Sequence, residues 1–281
     1  MKSVENFRTV GVIGWPLTHS RSPRLHAYWL RRYNIAGAYV PLPVQPGRLE
    51  VALRGLAALG FAGCNVTVPH KEEAARLVDR IDATTERVGA VNLIVVQADG
   101  SLRGSNTDGY GFIQNLRETM PHWRADAGPA VILGAGGAAR SVVASLIDAG
   151  AREIRLLNRT QARAEQLAAL FAGPIEVVAW QRRHAALAGA ALLVNTTSLG
   201  MTGQPPLDVA LDTLPRTAIV YDLVYNPLQT ALLSAARTRG NPLIDGLGML
   251  LHQARPSFEA WFGVLPDITP ELRAAIEETL Q

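Results

Sequence analysis

Lysine is nearly absent from this chain of 281 residues: its 27 basic side chains are Lys2, Lys71 and otherwise only arginine. A GC-rich coding bias accounts for the arginines and leaves the one internal lysine, Lys71, to be explained. Cysteine is scarcer still. Cys64 stands alone, which excludes an intrachain disulfide, and its place in the apolar stretch 61–66 marks it as a small core residue. No apolar run approaches the roughly 18 residues of a membrane span. The opening MKSVENFRTV lacks the small-residue cleavage pattern of a secretory leader, so a cytoplasmic chain is the expectation. Strong charge of one sign is missing too. The net charge is +3 with the bases spread along the chain, which argues against nucleic-acid partners. Six histidines without ligand spacing, and no second cysteine, argue against a metal site.

What is present is an ordinary globular composition, 48% apolar and 18% charged, in a chain long enough for two domains. Short apolar runs alternate with helical patterns, which reads as α/β. The first half predicts strands at 9–14, 38–44 and 63–67, helices at 22–33 and 47–59, and a short helix from Pro69. Pro23 and Pro69 both suit a first helical turn. Residues 91–97 and 101–103 flank Asp99-Gly100, the signature of a tight hairpin. The second half predicts strands at 130–133, 153–158, 175–179, 191–195, 218–222 and 242–244, mostly separated by helices, as in a doubly wound parallel sheet. A long helix after Asp245 and a final amphipathic helix after Pro266 are expected to pack back on the first domain. The expected fold is therefore two α/β domains: residues 1–107 with 247–281, built on a mainly parallel sheet, and residues 108–246, of Rossmann type. A cleft between them is the expected active site, with Gly109 and Gly248 as hinge candidates.

Gly134-Ala135-Gly136-Gly137-Ala138-Ala139 follows a strand and opens a helix, in the G-x-G-x-x-A form of a dinucleotide turn. The first glycine permits the turn, the second lets the backbone approach a pyrophosphate, and the small third position allows close helix–strand packing. The helix N-terminus then offers free N–H groups to the anion. The next strand ends in Asn158-Arg159-Thr160 rather than in a carboxylate. Arg159 can pair with a 2′-phosphate and Thr160 can donate to it, so NADP is preferred over NAD. Thr160 also suits a helix cap.

Five further segments stand out: Gly14-Trp-Pro-Leu-Thr-His19-Ser20-Arg-Ser22-Pro23, Asn65-Val-Thr67-Val-Pro69-His70-Lys71, Gly89-Ala-Val-Asn92, Asn106-Thr107-Asp108-Gly109 and Asp245-Gly246-Leu-Gly248-Met-Leu-Leu-His252-Gln253. Together with the Gly134 turn, Asn158-Arg159-Thr160 and Asn195-Thr196-Thr-Ser198, they resemble the shikimate dehydrogenase family from about residue 9 to residue 262. The resemblance implies an N-terminal substrate domain, a Rossmann NADP domain and a returning C-terminal helix. It also implies reversible reduction of 3-dehydroshikimate to shikimate with NADPH, a step toward chorismate and the aromatic amino acids.

By the same resemblance, Ser20 and Ser22 hold the substrate carboxylate, at the start of a helix that favours an anion; Ser22 alternatively serves only as the N-cap. Thr67, Asn92 and Gln253 bind substrate hydroxyls, and Tyr225 reaches toward the carboxylate or is a packed rim aromatic. Thr196 and Gly246 join the glycine turn in holding the cofactor. Asn65 is either a substrate ligand or a structural strut. Lys71 and Asp108 form the catalytic pair. Ketone reduction needs a proton on the carbonyl oxygen; a lysine can supply it, whereas a guanidinium does not deprotonate at accessible pH. Asp108 would orient the amine and a substrate hydroxyl. His19, His70 and His252 lie inside motifs and read as hydrogen-bonding struts.

Two positions depart from the family pattern. Ala27 stands where asparagine is common. Pro256 lies three residues past Gln253, where it removes an N–H and frees the His252 carbonyl, so a kink or early helix end is expected. The rivals are a quinate or aminoshikimate dehydrogenase, a tetrahydrofolate-pathway dehydrogenase, and a non-catalytic NADP-binding regulator. Whether the protein is a monomer or a homodimer is not legible.

Overall fold

The computed structural model describes residues 7–18 and 20–280. Lys2, the opening segment read for a leader, and His19 lie outside the described residues. The chain divides into two compact units, one comprising residues 1–108 and 251–279, the other residues 109–250 with 280–281.

Among the described residues of the first unit, six strands form one sheet: β1 (Arg8–Gly14), β2 (Gly37–Pro43), β3 (Phe61–Val66), β4 (Arg80–Ile81), β5 (Leu93–Val96) and β6 (Leu102–Ser105). Their order is β2-β1-β3-β5-β6-β4. β1 pairs parallel with both β2 and β3, β5 runs antiparallel to β3 and β6, and β4 is parallel to β6. The hairpin read from Asp99-Gly100 is therefore present as β5–β6. Helices α1 (Ser22–Arg32), α2 (Leu49–Ala58), α3 (Lys71–Leu77) and α4 (Ala83–Val88) belong to this unit. α2 buries Leu49, Leu53 and Leu56, a spacing that turns one face to the sheet. Cys64 is fully buried in the core behind that face.

The second unit begins with α5 (Asp108–Thr119), whose first residue still belongs to the first unit. Its sheet contains β7 (Ala130–Leu133), β8 (Ile154–Leu157), β9 (Ile175–Val177), β10 (Leu192–Asn195), β11 (Ile219–Asp222) and β12 (Leu243–Ile244), all parallel, with α6 (Gly137–Asp148), α7 (Gln161–Ala168) and α8 (Ala231–Arg239). Read from β9 to β12 the order is β9-β8-β7-β10-β11-β12. That is the doubly wound order 3-2-1-4-5-6, whose switch point lies between β7 and β10. All four residues of β7 are buried, which is why this strand reads as a continuous apolar run.

The tail returns to the first unit. α9 (Gly246–Phe262) starts in the second unit and ends in the first, followed by α10 (Pro270–Glu277). Thr269 caps α10 by accepting from Leu272 N–H, with Pro270 at its first turn. Trp261 Nε1 donates to the Ile94 carbonyl at 3.0 Å, and Trp29 Nε1 to the Asp267 carbonyl at 3.0 Å.

Two expectations about proline need correction. The helix expected from Pro69 begins at Lys71. Pro69, joined to Val68 by a cis peptide, sits in a turn closed by His70 N–H donating to the Thr67 carbonyl. Pro256 neither ends nor shortens α9, which runs on to Phe262. Leu251 and Ala254 before the proline, and Phe258 and Trp261 after it, are all buried. Packing on both sides therefore holds the helix across its missing hydrogen bond.

Candidate active site

Open α/β sheets bind ligands where strand order reverses, beyond the strand C-termini. In the first unit that point lies between β1 and β3, and Ser20, Ser22 and Thr67 follow these two strands. Thr67 N–H donates to the Ile13 carbonyl and Trp15 N–H to the Val68 carbonyl, so the two loops are laced together. A Cβ at Gly14 would stand 2.4 Å from Thr67 Cγ2, so only glycine lets Thr67 come this close. Ser20 is half-buried and Ser22 buried at the start of α1. Arg21 occupies the cap position and supplies no side-chain cap, so the capping role weighed for Ser22 does not fall to it.

Lys71 is the first residue of α3, and its backbone carbonyl accepts from Val91 N–H at 2.9 Å. This bond joins the start of α3 to the segment that carries Asn92. Preceding it, His70 is buried with Nε2 2.7 Å from the Val44 carbonyl, a strut as expected.

Lys71 Nζ donates to Asp108 Oδ2 at 2.5 Å. The other carboxylate oxygen, Oδ1, accepts from Asn92 Nδ2 at 2.8 Å. Asn92 Nδ2 also lies 3.0 Å from Thr107 Oγ1 and 3.3 Å from Gln253 Oε1. Its own oxygen accepts from Thr107 N–H at 2.8 Å. Lys71, Asn92, Asp108 and Gln253 thus come from the start of α3, the residue before β5, the start of α5 and the middle of α9 to one place. The ion pair is nearly buried, with the lysine side chain 15% and the aspartate 5% exposed, so solvent screens it far less than a surface pair.

Residues without an assigned role hold this cluster. Asn106 Oδ1 accepts from Asp108 N–H at 3.0 Å, while Asn106 Nδ2 donates to the Ala90 carbonyl at 2.8 Å. The first is an Asx turn, a local signal legible in Asn106-Thr107-Asp108. Asn65 is buried. Its amide donates to the Asn92 carbonyl at 2.9 Å and to Ser257 Oγ at 3.0 Å, and its oxygen accepts from Tyr39 OH at 2.8 Å. These three bonds tie Asn65 to β2, to the Asn92 segment and to α9, as the strut reading expects. No comparable local signal marks Ser257 or Tyr39.

In the second unit, Gly134 follows β7 with φ +113°, and a Cβ there would stand 2.5 Å from Thr196 Oγ1. Gly136 is the N-cap of α6 with no side-chain cap, and a Cβ on it would meet nothing within 4 Å. The turn therefore leaves both space and helix N–H groups where a pyrophosphate would lie. Gly137 opens the helix, Ala135 is buried, Ala138 half-buried, and Ala139 fully buried against the sheet. Asn158 Nδ2 donates to the Thr160 carbonyl at 2.8 Å. Thr160 is the N-cap of α7 by position but makes no side-chain cap bond. Arg159 is exposed, and no acidic residue ends β8. Thr196 Oγ1 donates to the Leu133 carbonyl at 2.8 Å. Tyr225 follows β11, half-buried. Gly246 opens α9, where a Cβ would stand 2.2 Å from the Leu223 carbonyl. At Gly248 a Cβ would stand 1.8 Å from Asn115 Oδ1; close packing against α5 accounts for this glycine. No group of three or more metal-ligating side chains occurs among the described residues, and no helix is long and apolar enough to cross a membrane.

An ammonium and a carboxylate can move a proton but not an electron pair, and the turn after β7 suits an electron-carrying dinucleotide. Together they place the chain among the dinucleotide-dependent oxidoreductases. Family models agree on which. Residues 12–94 match the shikimate dehydrogenase substrate binding domain, 120–201 the shikimate/quinate 5-dehydrogenase model and 246–280 the shikimate 5′-dehydrogenase C-terminal domain. The NADP(+) shikimate dehydrogenase of Paramagnetospirillum magneticum is 58% identical over 96% of this chain and 98% of its own. That of Rhodospirillum rubrum is 59% identical over 96% of both. A crystal structure of a shikimate dehydrogenase with NADP+ superposes with TM-score 0.89 at 34% identity, covering 99% of this chain and 97% of that one. The Thermus thermophilus enzyme in complex with NADP(H) and shikimate gives 0.83 at 33% identity, over 97% and 98%. The chain belongs to the shikimate dehydrogenase family.

Proposed function

We propose that this protein catalyses the reversible NADPH-dependent reduction of 3-dehydroshikimate to shikimate, in the cytoplasm, as a monomer or homodimer, with no nucleic-acid or membrane partner. The observation that carries the chemistry is the nearly buried Lys71–Asp108 pair, fixed by Asn92. The curated relatives, named as NADP-dependent shikimate dehydrogenases at 58% and 59% identity, support the substrate and cofactor.

The residues present fit NADP. Gly134, Ala135, Gly136, Gly137 and Ala138 would cradle the pyrophosphate, while Asn158, Arg159 and Thr160 would take the 2′-phosphate end. Thr196 and Gly246 would line the remainder. Bound NADPH supplies the hydride.

Lys71 then gives a proton to the carbonyl oxygen in the reducing direction and takes it back from the hydroxyl in the other. Asp108 Oδ2 holds the ammonium in place for this transfer, and Asn92 holds Asp108. Ser20 and Ser22 bind the substrate carboxylate, with Tyr225 reaching toward it. Thr67, Asn92 and Gln253 pair with the ring hydroxyls. A ligand lacking one hydroxyl would leave such buried groups unpaired, so discrimination by them is strong. The catalytic unit would be the first one with its returning helices, and the second would bind the cofactor.

The test is a steady-state panel of shikimate and quinate, each with NADP+ and NAD+. The reading requires kcat/KM to be highest for shikimate with NADP+. Preference for quinate would move the assignment within the family, and no turnover of either acid would favour a non-catalytic NADP-binding regulator.

A further inference from the structure

In the second unit, Asp222 ends β11 and is completely buried, and no cation pairs with it among the described residues. A buried carboxylate is costly unless hydrogen bonds replace its water. Three do. Thr230 Oγ1 donates to Oδ2 at 2.6 Å; Asn195 Nδ2 and Val224 N–H donate to Oδ1 at 2.9 and 3.1 Å. Burial pushes the carboxyl up from its ordinary value, and these bonds pull it back.

Each donor belongs to a different piece of backbone at the C-terminal end of the sheet. Asn195 ends β10, and its oxygen accepts from Thr197 N–H at 3.0 Å and Thr197 Oγ1 at 2.7 Å. Leu199 N–H in turn donates to Thr197 Oγ1 at 3.1 Å, which closes the loop after β10. Val224 lies in the loop after β11. Thr230 caps α8 by accepting from Leu233 N–H. One carboxylate is therefore the common acceptor of the β10 loop, the β11 loop and the start of α8.

A doubly wound sheet binds a dinucleotide as two halves, one on each side of its switch point. Arg159, at the end of β8, marks the adenosine half. The ends of β10 and β11 are left for the other half. We propose that Asp222 is a positioning residue that shapes the nicotinamide-side wall of the NADP(H) site, acting through Asn195 on the loop of Thr196 and Thr197. This rests on the Gly134 turn and Arg159 binding NADP.

Asn195→Asp sets a second carboxylate against Asp222 and forces the β10 loop away, while Gly134, Gly136 and Arg159 stay as they are. NADPH binding is read by fluorescence titration. Adenosine 2′,5′-bisphosphate, which carries only the adenosine half, is titrated beside it. The expected result is an NADPH Kd raised at least tenfold with the bisphosphate Kd changed less than twofold. A merely structural role would weaken both together, and that outcome overturns the proposal, as does an unchanged NADPH Kd. The double variant Asn195→Asp/Asp222→Asn exchanges the acid and the amide, restoring a donor between the two positions. It is expected to return the NADPH Kd to within threefold of the unmodified protein; failure to recover in a folded double variant also overturns the proposal. If the single variant does not fold, the double variant carries the test alone. If the unmodified protein binds neither probe, the NADP reading fails first, and the proposal with it.

Discussion

Lys71 Nζ and Asp108 Oδ2 stand 2.5 Å apart, and the aspartate side chain is only 5% exposed. Among the described residues Lys71 is the only lysine, a cation that can surrender a proton, and it is held against a buried acid. Lys71→Ala should lower kcat by about 10²–10⁴-fold, the usual span for losing a general acid–base group. Lys71→Arg keeps the charge and should fail nearly as badly, because a guanidinium holds its proton. NADPH affinity should stay within about threefold in both, since the pair lies outside the glycine turn. Steady-state kinetics in both directions checks this; a Lys71→Arg variant with near-normal kcat would show that charge alone suffices.

Arg159 is exposed two residues past β8, and no acidic residue ends that strand to repel a 2′-phosphate. Arg159→Ala should raise the KM for NADPH roughly tenfold, the loss of one charge-assisted contact at a solvated site. The KM for NADH should move less than about twofold, as it lacks that phosphate. Parallel assays with the two cofactors decide the matter, and equal effects would remove Arg159 from the specificity determinants.

The glycine turn was legible because its signals are local: four apolar residues in β7, a glycine at positive φ and a small Ala139 are neighbours in the chain. The motif of Asn106, Thr107 and Asp108 was legible for the same reason. The early helix end expected at Pro256 did not occur because a local rule, the helix-breaking proline, was overridden by the packing of Phe258 and Trp261. The polar network was invisible for the opposite reason. Asn65 meets Ser257 across 192 residues, and Asp222 gathers donors from two strand ends and a helix cap. Nothing in the residues adjoining Asn65 announces such partners. β4 is two residues long and carries too little pattern to be read as a strand.

Asn65→Leu keeps the size of the side chain and removes its polar atoms. Tyr39 OH and Ser257 Oγ would lose a buried partner, whereas the Asn92 carbonyl would still accept from Val66 N–H. Stability should fall by about 1–3 kcal/mol, the cost of stranding buried polar groups. Because Asn65 ties the Asn92 strand to the helix that carries Gln253, the KM for shikimate should rise several-fold while that for NADP+ stays put. Urea unfolding and the two KM values measured on one preparation check both parts. A stable variant with unchanged shikimate KM would show that α9 keeps its register without this bond.

His26 lies completely buried among aromatic rings, stacked on Tyr39 at 4.1 Å between centroids and edge-on to Trp29 at 5.7 Å. Neither ring nitrogen has a hydrogen-bond partner among the described residues. Burial pulls its pKa from 6.5 down to about 3. In the unfolded chain the imidazole takes up a proton below about pH 6.5, whereas the folded protein refuses it until about pH 3. The stabilisation from keeping His26 neutral is therefore complete above pH 6.5 and is lost as the pH falls toward 3. Its slope approaches about 1.4 kcal/mol per pH unit. His26→Phe fills the same aromatic niche and has no proton to bind. Between pH 6.5 and 5 the unmodified protein should lose roughly 2 kcal/mol of stability relative to His26→Phe, an order-of-magnitude figure from that slope. Urea unfolding at half-unit steps of pH measures the difference; curves that run parallel through this interval would mean that the imidazole finds a proton acceptor or water in the folded state.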